Sequence, residues 1–168
     1  ATKISYINEI ANLCEKTNVN IEDVSIGIGL DQRIGSRFLR PGPAYGGSCF
    51  PKDTRALLET GKKFNTNLSI IKSTVKSNEL RHKILSIKIK KLLKNKIKNK
   101  RITFLGVTFK PNTDDIRESS SLKLIPLLHK SGALISYYDP SGEKINFKKY
   151  KNVSYKSKIA HACKNSDL

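Results

Sequence analysis

The residues most able to do covalent chemistry lie in one stretch, Phe38 to Asp53, FLRPGPAYGGSCFPKD. Glycines and prolines lead to a Gly46-Gly47 pair, then Ser48, Cys49, Phe50, Pro51, Lys52 and Asp53 follow. Glycine lets a backbone adopt positive φ or approach a ligand closely. Proline suits the first turn of a helix, where its missing N–H costs nothing. The pattern therefore predicts Cys49 on a tight loop just ahead of a helix N-terminus, where the helix dipole and the nearby Lys52 cation favour a thiolate. Asp53 follows one helical turn later, in reach of a water or a proton. A nucleophilic thiolate with a carboxylate partner is one reading. A free cysteine packed beside a loop is the other.

Helices must carry this loop. Ile4, Ile7, Ala11 and Cys14 recur at helical spacing, with Asn8, Glu9, Asn12 and Glu15 read onto other faces. Thr17 to Asn20 breaks that helix, and Asn20 with Asp23 forms a capping box for a second, short one. Ser25 to Gly35 is glycine-punctuated and carries Asp31 and Arg33; it lacks the strand and third glycine of a dinucleotide fingerprint. The helix after Pro51 is expected to stop at Gly61. A long helical pattern then runs from Leu68 through Ile71, Val75, Leu85 and Ile89 to Leu92, with Asn78 and His82 on the same stripe, and its lysine-rich part extends over 83–101.

The composition then switches. Ile102 to Val107 reads as a buried strand, Ser121 to Lys130 as a helix that Pro126 should shorten or kink, and Ala133 to Tyr138 as a second strand ended by Asp139-Pro140. Strand, helix, strand with short loops predicts a right-handed βαβ unit in a parallel sheet. Ligands bind at the carboxyl ends of such strands, which singles out Lys110 and Arg117 for phosphate contacts. A solvated loop with a local salt bridge to Asp114 or Glu118 explains them equally well. After Ser141 the pattern is weak; His161-Ala162-Cys163 reads as the end of another helix.

The net charge of +18 is concentrated: residues 61–101 hold fourteen basic and one acidic side chain, whereas 1–60 hold seven of each. Such a segment can bind nucleic acid or an anionic surface. The abundance of Ile, Asn and Lys throughout favours a solvated face instead, and no aromatic residue in SIKIKKLLKNKIKNKR offers base stacking. No apolar run approaches the roughly 18 residues of a membrane span. Three cysteines, Cys14, Cys49 and Cys163, with no CxxC pair, predict neither a disulfide framework nor a metal site and favour a reducing, cytoplasmic setting. The chain reads as a piece of a longer protein.

The motifs NEIANLCE, GIGLDQRIG, RFLRPGPAYGGSCFPKDTRAL, LGVTFKPNTDDIRESSSL and GALISYYDP, in this order, resemble the nucleotide-sugar 6-dehydrogenases, most closely the bacterial UDP-glucose 6-dehydrogenases. The resemblance spans nearly the whole chain; Ala44 departs from it, standing where a glycine is usual. It implies an α + α/β fold: a central helical dimerisation domain over 1–99, with the cysteine loop and a long connecting helix, joined to the first part of a Rossmann-like UDP-sugar domain over 100–168. The family's N-terminal NAD-binding domain, and a lysine and an asparagine before the first helix, have no counterpart in these residues, so the segment alone should not turn over. The chemistry implied is the double oxidation of UDP-glucose at C6 to UDP-glucuronate by two NAD, through a thioester on Cys49, with Asp53 serving the hydrolytic water. The resemblance further implies that Phe38, Leu39, Arg40, Pro41, Gly42 and Gly46 wrap the sugar nucleotide through backbone N–H groups, that Lys110 reaches the substrate, and that Lys52 and Arg117 serve NAD. Arg33 would reach a neighbouring subunit's substrate, which makes a homodimer necessary. GDP-mannose and UDP-N-acetylmannosamine dehydrogenases are the alternatives within the family. A dimerisation scaffold without activity and a nucleic-acid-binding basic helix are those outside it.

Overall fold

The computed structural model describes residues 1–168, and the chain divides into two compact units, Ala1–Arg81 and His82–Leu168. In the first unit, α1 (Thr2–Thr17) buries Ser5, Ile7, Asn8, Ala11 and Cys14. Asn8 therefore belongs to the buried face, not to another one, and is 3% exposed. Asn18 ends α1 in the left-handed conformation, φ 61°, with its N–H on the Cys14 carbonyl. Asn20 caps α2 (Ile21–Leu30) by accepting from the Glu22 N–H at 2.9 Å. Although α2 is mostly apolar, none of its residues is buried.

The next helix, α3 (Cys49–Lys63), runs past Gly61 instead of ending there. Gly61 is buried for a packing reason: a Cβ there would lie 2.8 Å from Leu68 Cδ1 and 3.0 Å from the Thr66 carbonyl oxygen. The long helix α4 (Ser69–Leu92) stops earlier than the lysine pattern suggested. Lys94 and Asn95 take positive φ (51° and 60°), and the Asn95 N–H turns back to the Lys90 carbonyl at 2.8 Å. Residues 93–100 are thus a turn segment and not a basic helix. Ile89, Leu93 and Ile97 pack into the core of the second unit, so the end of α4 belongs with that unit by contacts.

The second unit is a parallel sheet in the order β1 (Arg101–Leu105), β2 (Leu134–Tyr138), β3 (Val153–Tyr155), with Ile102 opposite Ile135 and Ile135 opposite Val153. Between β1 and β2 runs α5 (Ser121–Lys130), burying Ser121, Leu124, Ile125 and Leu128. It continues through Pro126, whose missing N–H removes a single helical bond, that to Leu122. A short 3-10 turn at Ile145–Phe147 buries Phe147 against Tyr137, ring centroids 5.2 Å apart. β3 is only three residues long, too short for periodicity to reveal, and α6 (Ile159–Cys163) follows it. The other edge of β1 is occupied as well. Thr103 N–H donates to the Leu168 carbonyl at 2.8 Å, and Asp167 and Leu168 N–H groups donate to the Arg101 carbonyl at 2.8 and 3.4 Å, the slanted pattern of a parallel pair.

Candidate functional site

Cys49 is exposed and is the first residue of α3, with Ser48 as the N-cap and Pro51 buried in the first turn. The thiol is thus on the helix's first turn, not ahead of it. Ser48 Oγ is 3.7 Å from Cys49 Sγ. Asp53 follows four residues later on the same helix and pairs with Lys52 at 3.1 Å, both side chains more than 60% exposed. Beneath them, Phe50 makes edge contacts with Phe38 (centroids 5.9 Å) and Tyr45 (6.1 Å).

The segment leading to Cys49 is pinned from three helices. Phe38 takes a left-handed φ of 67°. Leu39, 2% exposed, donates its N–H to the Ser36 carbonyl and receives Ser25 Oγ on its own carbonyl at 2.6 Å. Gly42 N–H donates to Asn8 Oδ1 at 2.8 Å, and Arg81 Nε donates to the Gly42 carbonyl at 3.3 Å. Asn78 accepts the Tyr45 N–H at 2.9 Å and donates to the Tyr45 carbonyl at 3.0 Å. The N–H groups of Leu39 and Gly42 are therefore already engaged within the chain, and Pro41 has none. Arg40 is exposed; Gly46 is partly covered.

Arg33 lies on the loop after α2, 89% exposed, and its guanidinium grips Asp31 through Nε (3.0 and 3.2 Å) and Nη2 (2.6 Å). These bonds hold the Asp31 carboxyl below its ordinary value. An open cleft of about 490 Å³, lined by Cys14, Glu15, Asn18, Pro41, Gly42 and Arg81 among others, touches the same loop but does not include Cys49.

In the second unit, the loop after β1 carries Lys110 and Arg117. Lys110 is exposed with its ammonium 5.2 Å from the Phe109 ring centroid. Arg117 is 68% exposed and forms a fork with Asp115, 2.8 to 3.1 Å. That fork lowers the Asp115 pKa. The loop's root is fixed by Asp139, 2% exposed at the end of β2, which accepts from the N–H groups of Val107 (2.8 Å), Thr108 (3.3 Å) and Ser141 (2.9 Å) and from the Ser141 hydroxyl. Burial opposes its ionisation, but these donors and Lys144 outweigh burial and leave its pKa lowered. Ser119 Oγ ties the loop's far end to the Val107 carbonyl at 2.6 Å.

Four residues with a part in this geometry were missed as site residues in the sequence: Asn8, Asn78, Arg81 and Asp139. Asn8 falls at i+4 from Ile4 and i−3 from Ala11, a polar residue inside an apolar stripe, which is the signal that could have found it. Asn78 lies on the α4 stripe, where spacing alone gives it no role.

The chain has two halves, a helical unit presenting a cysteine at a helix start and a parallel α/β unit with basic loop residues at its strand ends. Residues 1–80 match the family model for the UDP-glucose/GDP-mannose dehydrogenase family, central domain, and residues 103–168 that for the same family's UDP binding domain. The chain belongs to this family. Among curated relatives, it is 48% identical to a UDP-glucose 6-dehydrogenase of Rhizobium meliloti (strain 1021), over 84% of this chain and 32% of that one. It is 44% identical to a UDP-glucose 6-dehydrogenase of Rickettsia felis, over 100% of this chain and 38% of that one. A solved UDP-glucose dehydrogenase from Pyrobaculum islandicum matches with a TM-score of 0.91 at 31% identity, covering 98% of this chain and 38% of that one. The chain thus spans about a third of the length of the relatives it matches. No helix is long and apolar enough to cross a membrane.

Proposed function

We propose that this chain is the catalytic-cysteine and sugar-nucleotide portion of a cytoplasmic, NAD-dependent UDP-glucose 6-dehydrogenase. The observation that carries the reading is the exposed Cys49 at the start of α3 with Asp53 one turn along. The dinucleotide, when bound, accepts a hydride from C6 in each of two oxidations. Cys49 acts between them: its thiolate adds to the C6 aldehyde, forming a C–S bond and a thiohemiacetal. Loss of the second hydride leaves a thioester on Cys49. Water then attacks the acyl carbon, the thiolate leaves, and Asp53 takes the water's proton.

The exposed cations Lys52 and Arg117 fit an anionic dinucleotide by charge, and Lys110 fits the substrate. Phe38 to Gly42 and Gly46 form the wall for the sugar nucleotide; with Leu39 and Gly42 N–H already used, Phe38, Arg40 and Gly46 supply its backbone donors. Arg33 serves the partner's site in a homodimer, a reading supported by α2, which leaves Ile26 (62%) and Leu30 (77%) uncovered just before it. The portion from Ala1 to Leu168 is inactive without a dinucleotide-binding domain.

The test is to titrate UDP-glucose into the full-length enzyme while following NADH. Two NADH per sugar support the four-electron oxidation. One NADH per sugar overturns the role given to Cys49. Turnover with a different nucleotide sugar alone keeps the family and overturns the substrate.

A further inference from the structure

The polar side chains beneath the cysteine loop are spaced to hold it at intervals of three residues. Leu39, Gly42 and Tyr45 are each held, from Ser25 on α2, from Asn8 on α1 with Arg81 on α4, and from Asn78 on α4. Asn78 spends both ends of its amide on one residue, so the plane and direction of the peptides flanking Tyr45 are fixed. Gly46, Gly47 and Ser48 then lead straight to Cys49. Glycines impose little conformation of their own, so the thiol's position depends on where this run is anchored. Its downstream anchor is α3. Its upstream anchor is Tyr45.

Arg81 completes the frame. Its guanidinium donates to the Asn12 side chain at 2.5 Å and to the Asn8 carbonyl at 3.5 Å, so the residue that holds the Gly42 carbonyl also braces the helix whose Asn8 holds the Gly42 N–H. Burial lowers the Arg81 pKa, with Glu15 opposing. These contacts engage the N–H groups of both Gly42 and Tyr45 and place one donor on each carbonyl, so neither N–H is open to a ligand and both residues hold a fixed edge.

We infer that Asn78, together with Asn8 and Arg81, is a positioning residue that sets the Gly42–Cys49 segment for the sugar nucleotide and aims the thiol. The inference rests on the reading of Cys49 and its loop as the substrate site. It separates loop-holding from substrate contact: none of the three touches the reacting atoms, and their loss acts through Tyr45 and Gly42.

The test uses the full-length enzyme and its Asn78→Ala variant, with three readouts. Hydrogen exchange at the Tyr45 amide should accelerate about tenfold or more, as expected for one lost hydrogen bond, while the amides of α1 and α4 stay protected. Alkylation of Cys49 should change relative to the exposed Cys163, which serves as an internal reference. The KM for UDP-glucose should rise about tenfold, the same free energy seen through binding, with the KM for NAD unchanged. Asn78→Asp keeps the acceptor for the Tyr45 N–H and loses the donor, so it should retain Tyr45 protection and restore part of the KM. It also serves as the readable variant where Asn78→Ala does not fold. Exchange that accelerates throughout α1 and α4, or an unchanged Tyr45 amide, overturns the inference. Local acceleration at 42–49 with an unchanged KM for UDP-glucose upholds the anchoring and overturns the reading of this loop as the substrate site.

Discussion

Asp139 stays ionised while buried because four donors from three residues surround its carboxylate. Its folded pKa lies below the ordinary 3.8, so its contribution to stability is fully present above that value and is lost as pH falls through the folded value. Asp139→Asn keeps the shape but removes the charge, and should destabilise the fold by about 1 to 3 kcal/mol at neutral pH. Denaturant unfolding at pH 7 and pH 3 checks this: the gap between wild type and variant should shrink at the lower pH. At Cys49 the expected change is chemical. Cys49→Ser in the full-length enzyme should stop after the first oxidation, with one NADH per sugar and no acid product. Wild-type rates in that variant would remove the thiolate from the mechanism. The cysteine was legible in the sequence because its type and its neighbours announce chemistry. Asn8 was only half legible: its spacing puts it on the apolar stripe, but an asparagine beside Glu9 reads as solvent-facing until a partner for its amide is known.

At the scale of elements, most of the helices and both longer strands follow from periodicity, since each buries one face. The departures share a cause: a single-residue signal was overridden by packing, near in sequence at Gly61 and distant at residues 93–100 and β3. Gly61 looked like a helix end, yet α3 continues because the glycine makes room for Leu68 and the Thr66 carbonyl. Gly61→Val should therefore cost about 1 to 3 kcal/mol through overpacking, read as a lowered denaturant midpoint; an unchanged midpoint would mean that the 66–68 turn yields freely. The lysine run 93–100 looked helical, but Leu93 and Ile97 are drawn into the core of the second unit, and Lys94 and Asn95 turn the chain to allow it. β3 owes its existence to β2, against which Val153, Ser154 and Tyr155 pair; no three-residue pattern could have announced it.

The whole molecule leaves an unequal apolar surface. The second unit gathers ten buried apolar side chains into one cluster, whereas α2 in the first unit is an apolar helix with no buried residue. Burying such a face against a second copy is the expected outcome. Light scattering on the full-length chain should give twice its monomer mass, and Ile26→Glu with Leu30→Glu should return the monomer with helicity intact. A persistent dimer in that double variant would put the interface elsewhere. The double edge of β1 carries a consequence for synthesis. β2 can pair with β1 soon after it emerges, but the other edge waits for Asp167 and Leu168, more than sixty residues downstream. At ribosomal speeds of about 5 to 20 residues per second that edge stays open for roughly 3 to 13 s. An open edge is a template for another chain. The charges of Lys100 and Arg101 at its entrance act as gatekeepers during those seconds. Neutralising the pair should lower the yield of soluble chain, while the folded protein loses only the part-exposed Lys100–Asp167 ion pair.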